Sequence, residues 1–220
     1  MTIPQSLSPA ASLVRCMQQL LSEGLTTGTN GNASLRSAGG MLITPTGIRP
    51  SELTPESIVA MDLEGNIASA QLAPSSEWPM HASIYRARPD VHAIVHCHSH
   101  YATALACNRL SIPAFHYLVA LAGGDSIPCA PYATFGSAEL GQQVAGTLRE
   151  RRACLLANHG QISVGPDLES ALELARRVEE LAAQYHACLS AGGPVLLTKD
   201  EMDEIRARIS NYGQPKRTRA

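Results

Sequence analysis

The chain has 220 residues, of which 45% are hydrophobic, 16% charged and only 4% aromatic, and its formal net charge is −2. This composition predicts an aliphatic core and argues against intrinsic disorder, while the near-zero charge argues against bulk electrostatic binding to nucleic acid or to an anionic membrane. The low charged fraction also suggests a surface that is partly covered by other copies of the chain.

The sequence shows no sign of export or of membrane insertion. Its N-terminal segment has no basic stretch followed by a long apolar one, as a secretory signal would have. No run approaches the roughly 18 apolar residues of a membrane span, since the richest, 117–127, is broken by two glycines and an aspartate. The six cysteines occur singly, as buried thiols of a reducing compartment do. We therefore predict a cytoplasmic protein.

The first half of the chain alternates helical and extended patterns. Apolar spacing, turn residues and caps predict, in chain order, a helix over 6–23, two strands joined by a glycine turn within 26–47, a proline cap at 54–56 followed by a strand within 57–66, a helix over 75–88 and a buried strand over 91–98. The mixture of tight turns and helices argues against regular βαβ repeats.

The second half continues in the same way. It predicts helices over 102–107 and 138–151 and a hairpin of two buried strands over 152–165 that turns at His159-Gly160. These elements are followed by a long helix over 168–189, a short helix over 199–209 and a basic tail over 215–220. We expect an α/β (α+β-like) fold with a largely antiparallel central sheet between helical layers. No linker or repeat interrupts the chain, so we expect a single domain over 1–220.

Four of the eight histidines lie within nine residues, at His92, His96, His98 and His100. On a strand, residues two apart point to the same face, so His96 and His98 are expected to converge. Such a pair is a frequent zinc arrangement when a third ligand comes from elsewhere. The pair alone favours metal binding and a second interpretation equally. In the second, both imidazoles are hydrogen-bonded polar groups at a strand end.

His159 favours the metal interpretation, because a second apolar strand delivers it at a turn. Three imidazoles with an open position are typical of a catalytic zinc site rather than a structural one. Cys97 lies between the two strand histidines, so the alternation directs it to the opposite face and excludes it as a ligand.

A carboxylate and three polar loops complete the candidate site. Glu77 follows Ser75 and Ser76 at a helix start, where it could be a simple capping group or could face an anion held by the helix N-terminus. The loops 29–32 and 44–47 are rich in hydroxyls, amides and glycine, and together with the two serines they suggest a phosphate cradle. Neither the nucleoside triphosphate loop nor the dinucleotide glycine motif is present.

These segments resemble the zinc-dependent class II aldolase family. The resemblance rests on TNGNASLR, MLITPTGI, PSSEWPMHASIY, VHAIVHCHSHYATAL, AGGDSIPCAPYATFG and LLANHG, and it extends over about 14–212. It implies that His96, His98 and His159 hold one zinc ion per subunit and that Glu77 is the catalytic glutamate and a further ligand of the resting zinc. It also implies a phosphate site at Gly31, Asn32, Thr46, Gly47, Ser75 and Ser76.

The same resemblance implies a C4 homotetramer in which a neighbouring subunit completes each site. The catalytic acid would be Tyr117 of that neighbour, with Phe135 and Tyr212 near the same interface. Tyr117 could equally be a core aromatic residue, because the chain has few aromatic residues to fill its interior. The tail's conformation stays open.

The implied activity is reversible cleavage of a ketose 1-phosphate, such as that of L-fuculose or of a related 5-deoxypentulose or 5-methylthioribulose, to dihydroxyacetone phosphate and an aldehyde. Glu77 would move the proton of the enediolate. Related epimerases, a dehydratase of methylthioribulose 1-phosphate and oxo-tetronate phosphate decarboxylases stay alternatives, as does a non-catalytic metal-binding module. Glu77 favours the aldolase, because the related epimerases carry aspartate there. The native aldehyde, the stereochemical tolerance and the metal used in the cell stay open.

Overall fold

The computed structural model describes residues 7–68 and 71–209. The first residue of the predicted N-terminal helix, the basic tail and Tyr212 lie outside the described residues. The helices are α1 (Pro9–Ser22), α2 (Trp78–Ala87), α3 (His100–Cys107), α4 (Ala138–Thr147), α5 (Leu168–Ser190) and α6 (Lys199–Ile209). The strands are β1 (Asn32–Ser37), β2 (Gly40–Ile43), β3 (Val59–Met61), β4 (Ala93–Cys97), β5 (Cys129–Ala130), β6 (Ala153–Leu156) and β7 (Gly160–Gly165).

All seven strands of the described residues form one sheet in the order β3-β2-β1-β4-β7-β6-β5. Every pairing is antiparallel except that of β5 with β6. Helices cover both faces, so the predicted α/β fold with a largely antiparallel sheet between helical layers is confirmed. Among the described helices, none combines the length and the apolar character that crossing a bilayer would need.

The central strand β4 separates the two layers of the core. Ile94 packs into the cluster that contains residues of α2 and α4. Val95 and Cys97 point the other way, into the cluster that contains residues of α1 and α5. This alternation is the period of two expected of a strand, and it gives α2 and the side chain of His96 the same face of the sheet.

Local signals explain where most elements begin and end. Helix α1 starts after Ser8, whose hydroxyl accepts a hydrogen bond from the backbone N–H of Ala11 at 3.2 Å. The predicted cap at Thr54 is present, as a reciprocal capping box with Ser57 on a short 3₁₀ helix, Pro55–Ser57.

Several details differ from the sequence-based expectations. Helix α2 begins at Trp78, so the predicted start at 75 is three residues too early. Helix α4 ends at Thr147, short of the predicted residue 151, because Gly146 weakens its last turn and the carbonyl oxygen of Arg151 instead accepts a hydrogen bond from Arg88. The hairpin turns one residue earlier than predicted, at Asn158, whose φ of 56° is left-handed. The 3₁₀ helix Tyr117–Ala122 and strand β5 were not predicted, since their apolar runs are too short to show a period.

Candidate metal centre and its cavity

Four predicted side chains come together at the end of β4: Glu77, His96, His98 and His159. One ligand atom from each lies within 4.8 Å of the others. Nε2 of His96 lies 3.0 Å from Nε2 of His98 and 3.1 Å from Oε2 of Glu77, and Nε2 of His159 lies 3.2 Å from Oε1 of Glu77. The three imidazole rings therefore surround one point together with the carboxylate.

The sheet and α2 bring these groups together. His96 is paired with Asn32 of β1 and with Ile162 of β7, so it lies in the middle of the sheet and is fully buried. Helix α2 packs on the same face and begins directly after Glu77. Cys97 points into the opposite layer, as the alternation predicts, and is not part of the cluster.

A tight turn between β6 and β7 presents His159. The backbone N–H of Asn158 donates to the carbonyl oxygen of Ala106 at 2.9 Å, and its side-chain amide donates to that of Cys107 at 3.2 Å, so the end of α3 holds the turn. Gly160 follows at a close approach, because a Cβ there would lie 2.6 Å from the carbonyl oxygen of Cys97 and 2.9 Å from Cδ2 of His98. Only glycine, which has no Cβ, fits at this position against the backbone of Cys97 and the ring of His98.

The backbone fixes the orientation of the His96 ring. Nδ1 of His96 lies 2.8 Å from the carbonyl oxygen of Gln161, which can only accept, so Nδ1 carries the hydrogen. Nε2 is then the nitrogen that faces the cluster. Burial opposes charging of the ring, but the adjacent Glu77 carboxylate outweighs it and raises the pKa of His96. A cation at Nε2 therefore competes with a proton.

Glu77 does not cap α2 with its side chain, so the simpler of its two interpretations is excluded. It is 7% exposed, and within the described residues its Oε1 atom is buried without a hydrogen-bond partner. Burial by itself raises the pKa of Glu77, but the neighbouring imidazoles of His96 and His159 outweigh it and hold that pKa far below its usual range. The carboxylate is therefore ionised and one of its oxygens is available to a ligand.

The donor set fits a divalent metal ion. Three imidazole nitrogens and one carboxylate oxygen are ligands that zinc prefers. With bonds of about 2.0–2.1 Å, neighbouring ligand atoms around tetrahedral zinc lie roughly 3.3–3.4 Å apart, close to the 3.0, 3.1 and 3.2 Å separations found here. The unpartnered oxygen of Glu77 is a second sign that the cluster is built for a cation.

The cluster opens into a cavity of about 410 Å³. Its lining includes every residue predicted for the phosphate site: Gly31, Asn32, Thr46, Gly47, Ser75 and Ser76. Backbone hydrogen bonds of 3.1 Å from Thr46 to Ala73 and of 3.0 Å from Ser75 to Thr44 hold two of the loops side by side. A larger cavity of about 630 Å³, between α1 and the start of α5, contains none of the four clustered residues.

The residues predicted for a subunit interface differ from one another in their position relative to the cavity. Phe135 lines the cavity and is 67% exposed. Tyr117 is 51% exposed, stacks on His116 and, within the part of the chain that is described, does not line the cavity. Tyr212 lies outside the described residues.

The groups behind Glu77 are not among the sequence-based predictions. The amide nitrogen of Asn32 donates to Oε2 of Glu77 at 2.9 Å, and its amide oxygen lies 2.7 Å from Nε2 of His81. Asn32 was assigned only to the phosphate loop, and His81 to no role. The available signal was the spacing, because His81 follows Glu77 by four residues, about one turn into the helix that begins after Glu77.

Known proteins resemble this chain closely. The family model of the class II aldolase and adducin N-terminal domain matches residues 11–186. A 5-methylthioribulose-1-phosphate/5-deoxyribulose-1-phosphate aldolase from Rhodospirillum rubrum is 46% identical over 201 residues, 91% of this chain and 90% of that protein. An L-fuculose phosphate aldolase from Escherichia coli K12 is 48% identical over 191 residues, 86% of this chain and 88% of that protein. A solved structure of an L-fuculose 1-phosphate aldolase superposes with a TM-score of 0.89 at 39% identity and covers 93% of this chain and 97% of its own.

Proposed function

The chain belongs to the class II aldolase and adducin N-terminal domain family, and from this premise we propose that it is a metal-dependent aldolase that cleaves a ketose 1-phosphate to dihydroxyacetone phosphate and an aldehyde. One observation carries the proposal: the cluster of Glu77 with three histidines opens into a cavity lined by polar loops. Metal and anion sites that share one cavity suit a substrate that has both a carbonyl and a phosphate. We take 1–220 as one catalytic domain and place it in the cytoplasm.

The metal would be held by His96, His98 and His159, with Glu77 as a further ligand, and the donor set favours zinc. The cation, when bound, acts as a Lewis acid that polarises the ketose carbonyl and stabilises the charge that develops there. The chain's own part is to fix the ligands. The bond from Nδ1 of His96 to Gln161 does so for one of them.

The phosphate would lie on the other side of the cavity, among the six predicted loop residues. Ser75 and Ser76 line the cavity just before α2, so a phosphate held there would lie near the positive end of the helix dipole. Gly31 has a φ of 76°, and a Cβ there would lie 2.8 Å from the carbonyl oxygen of His96. Glycine thus lets the loop lie directly against β4, beside the metal ligands, and anchoring the phosphate there would fix the reacting carbons near the cluster.

Glu77 is the group proposed to move the proton on the three-carbon fragment. It is ionised and lines the cavity, and its Oε1 atom has no hydrogen-bond partner among the described residues, which supports a carboxylate that accepts a proton from a substrate held in the cavity. In the direction of cleavage the same group would return the proton.

A second proton-transfer group is proposed from a neighbouring subunit. Tyr117 is half exposed and away from the cavity of its own chain, which supports a role across an interface in a homotetramer. The exposed aromatic rings of Tyr132 and Phe135 at the cavity also suit a surface that another copy covers. The oligomer would then be part of the enzyme.

A substrate panel tests the proposed reaction. The purified zinc-loaded protein is incubated with the 1-phosphates of fuculose, rhamnulose, ribulose, 5-deoxyribulose and 5-methylthioribulose, and release of dihydroxyacetone phosphate is followed. We expect release from at least one, and the preferred ketose identifies the aldehyde. Epimerised sugar, loss of water or loss of carbon dioxide without dihydroxyacetone phosphate would contradict the aldolase. A Glu77→Gln protein is the control for contaminating activity.

Subunit complementation tests the shared site. Glu77→Gln and Tyr117→Phe proteins, each of low activity, are mixed, dissociated and reassembled. In a ring with one site per interface, random mixing at equal amounts gives about one quarter of the sites both native groups. We expect activity to rise toward that fraction. No gain over the separate variants, with mixed tetramers present by native mass spectrometry, would place Tyr117 outside the neighbour's site.

A further inference from the structure

A chain of four buried polar side chains runs inward from Glu77 between the sheet and α2. Its members are Asn32, His81, Ser34 and Tyr85, and none is more than 4% exposed. The amide of Asn32 links Glu77 to Nε2 of His81, and Oγ of Ser34 lies 2.7 Å from Nδ1 of His81 and 2.8 Å from the hydroxyl of Tyr85. The metal ligands and the phosphate loops make no use of His81, Ser34 or Tyr85.

The direction of every hydrogen bond in this chain follows from its carboxylate end. An ionised carboxylate only accepts, so the NH₂ group of Asn32 has to face Glu77 and its carbonyl oxygen has to face His81. That oxygen also only accepts, so Nε2 of His81 carries a hydrogen. Asn32 turned the other way would bring two acceptors together at Glu77 and two donors together at His81, unless the ring changed its tautomer.

The far side of His81 accommodates the same tautomer, because the hydroxyls there can donate as well as accept. Burial, with the nearby charge of His96, lowers the pKa of His81 to about 3 although Glu77 opposes this, so the ring is neutral and Nδ1 accepts. The Ser34 hydroxyl is its donor, and Ser34 in turn accepts from Tyr85. At this end of the chain, the guanidinium carbon of Arg36 lies over the Tyr85 ring, 4.7 Å from its centre.

We propose that His81 is a positioning residue that, in its Nε2–H form, locks the amide of Asn32 so that its N–H faces Oε2 of Glu77 and leaves Oε1 to the metal cluster. This inference rests on the proposed role of Glu77 in catalysis and metal binding. His81 touches neither substrate nor metal, and it acts through Asn32 alone. The alternative is a satisfied core histidine that contributes only to stability.

Two substitutions separate these roles. His81→Leu removes every hydrogen-bonding group of the ring, and His81→Gln removes the acceptor from the position of Nδ1, so both lower stability. A glutamine amide reaches about as far as Nε2 of histidine and can still donate to Asn32, whereas leucine cannot. We expect the glutamine protein to keep kcat within about threefold of the native value and the leucine protein to lose about 10–100-fold in kcat with little change in KM. A purely structural role predicts that both keep kcat per folded molecule.

Zinc affinity gives a readout that does not depend on turnover. In a chelator competition, the leucine protein is expected to bind zinc about tenfold more weakly and the glutamine protein almost normally. If the native protein cleaves no ketose 1-phosphate but this affinity pattern holds, the proposed function fails and the positioning role stands. If the native protein is active and the leucine protein matches it in kcat and zinc affinity, the positioning role is overturned.

The native protein supplies a test that needs no substitution. Nitrogen-15 chemical shifts of its labelled histidines report which ring nitrogen is protonated. We expect one buried histidine, missing from the His81→Gln spectrum, with hydrogen on Nε2 and a bare Nδ1. A hydrogen on Nδ1, or on both nitrogens at neutral pH, would overturn the proposal even if the leucine protein did not fold.

Discussion

The carboxylate of Glu77 borders two very different regions. Oε1 lies 3.2 Å from Nε2 of His159 and, within the described residues, has no hydrogen-bond partner. Oε2 lies 3.1 Å from Nε2 of His96 and is also bonded to Asn32 and, through it, to a buried polar chain. We call the side with the three histidines and the cavity the front of the carboxylate, and the side with Asn32 and the polar chain its back. A buried acceptor without a partner costs about 1–3 kcal/mol. At the back, the hydrogen bond from Asn32 is formed and fixes the orientation of the carboxylate. At the front, Oε1 still has no hydrogen-bond partner among the described residues, and a bound ligand can supply one.

Removing a ligand from the front is expected to have the largest effect. His96→Ala takes away the one ligand that is completely buried and leaves Glu77 short of a positive neighbour. We expect zinc content after dialysis to fall well below one ion per subunit, with cleavage at background. Metal analysis and a circular dichroism spectrum check this result, and a folded variant that stays fully loaded would contradict the ligand assignment.

Neutralising the carboxylate itself tests both regions together. Glu77→Gln keeps the shape of the side chain, so we expect it to keep the fold and most of the zinc while cleavage falls about 10²–10⁴-fold, as for loss of a general base. The measurement is initial rate against substrate concentration at equal zinc loading. Unchanged turnover would remove Glu77 from the proton transfer.

A smaller effect is expected from the backbone at the front. Gly160→Ala forces a methyl group against the backbone of Cys97 and the ring of His98, so one of the two has to move. We expect zinc affinity to fall about 10–100-fold while the protein stays folded. Gly146→Ala is a matched control, because a Cβ there meets nothing within 4 Å. Equal affinities in the two variants would show that the close approach at Gly160 does not matter to the site.

The smallest effect concerns the back and appears in stability against pH. The pKa of His81 is about 3 in the folded chain and near 6.5 in an unfolded one, so the unfolded state binds the extra proton between these values. His81 therefore contributes stability that is fully present above pH 6.5 and is lost as the pH falls. From pH 7 to pH 5 the native protein is expected to lose about 2 kcal/mol that His81→Gln does not lose. Urea unfolding of the native and His81→Gln proteins, at both pH values and in one buffer that contains a chelator, measures the two free energies of unfolding. An equal pH dependence of stability in the two proteins would contradict a neutral His81.

The sequence anticipated the front better than the back. Alternation along β4 predicted that His96 and His98 converge and that Cys97 points away, because the period of a strand is a local property. The hairpin that carries His159 was predicted too, but its turning residue was not, since the left-handed Asn158 is hydrogen-bonded to the end of α3, which is distant in the sequence. From the sequence, Glu77 could not be distinguished from a helix cap, because the direction of its side chain depends on residues that are distant in the sequence.

The back needed the whole structure. Asn32 meets Glu77 and His81 only because β1 pairs with β4 in one register and α2 packs over both strands. The residues involved are 45 to 51 positions apart in the chain, so no local pattern relates them.

The sequence by itself determined the strand alternation, the helix caps, the resemblance to the class II aldolase family and the residue types of the site, because these depend on neighbours along the chain. Only the tertiary structure decided which oxygen of Glu77 accepts from Asn32 and which has no hydrogen-bond partner among the described residues, and that His81 lies behind Asn32. Those features depend on strand register and on the packing of α2, where side chains distant in sequence exclude water and have to satisfy one another.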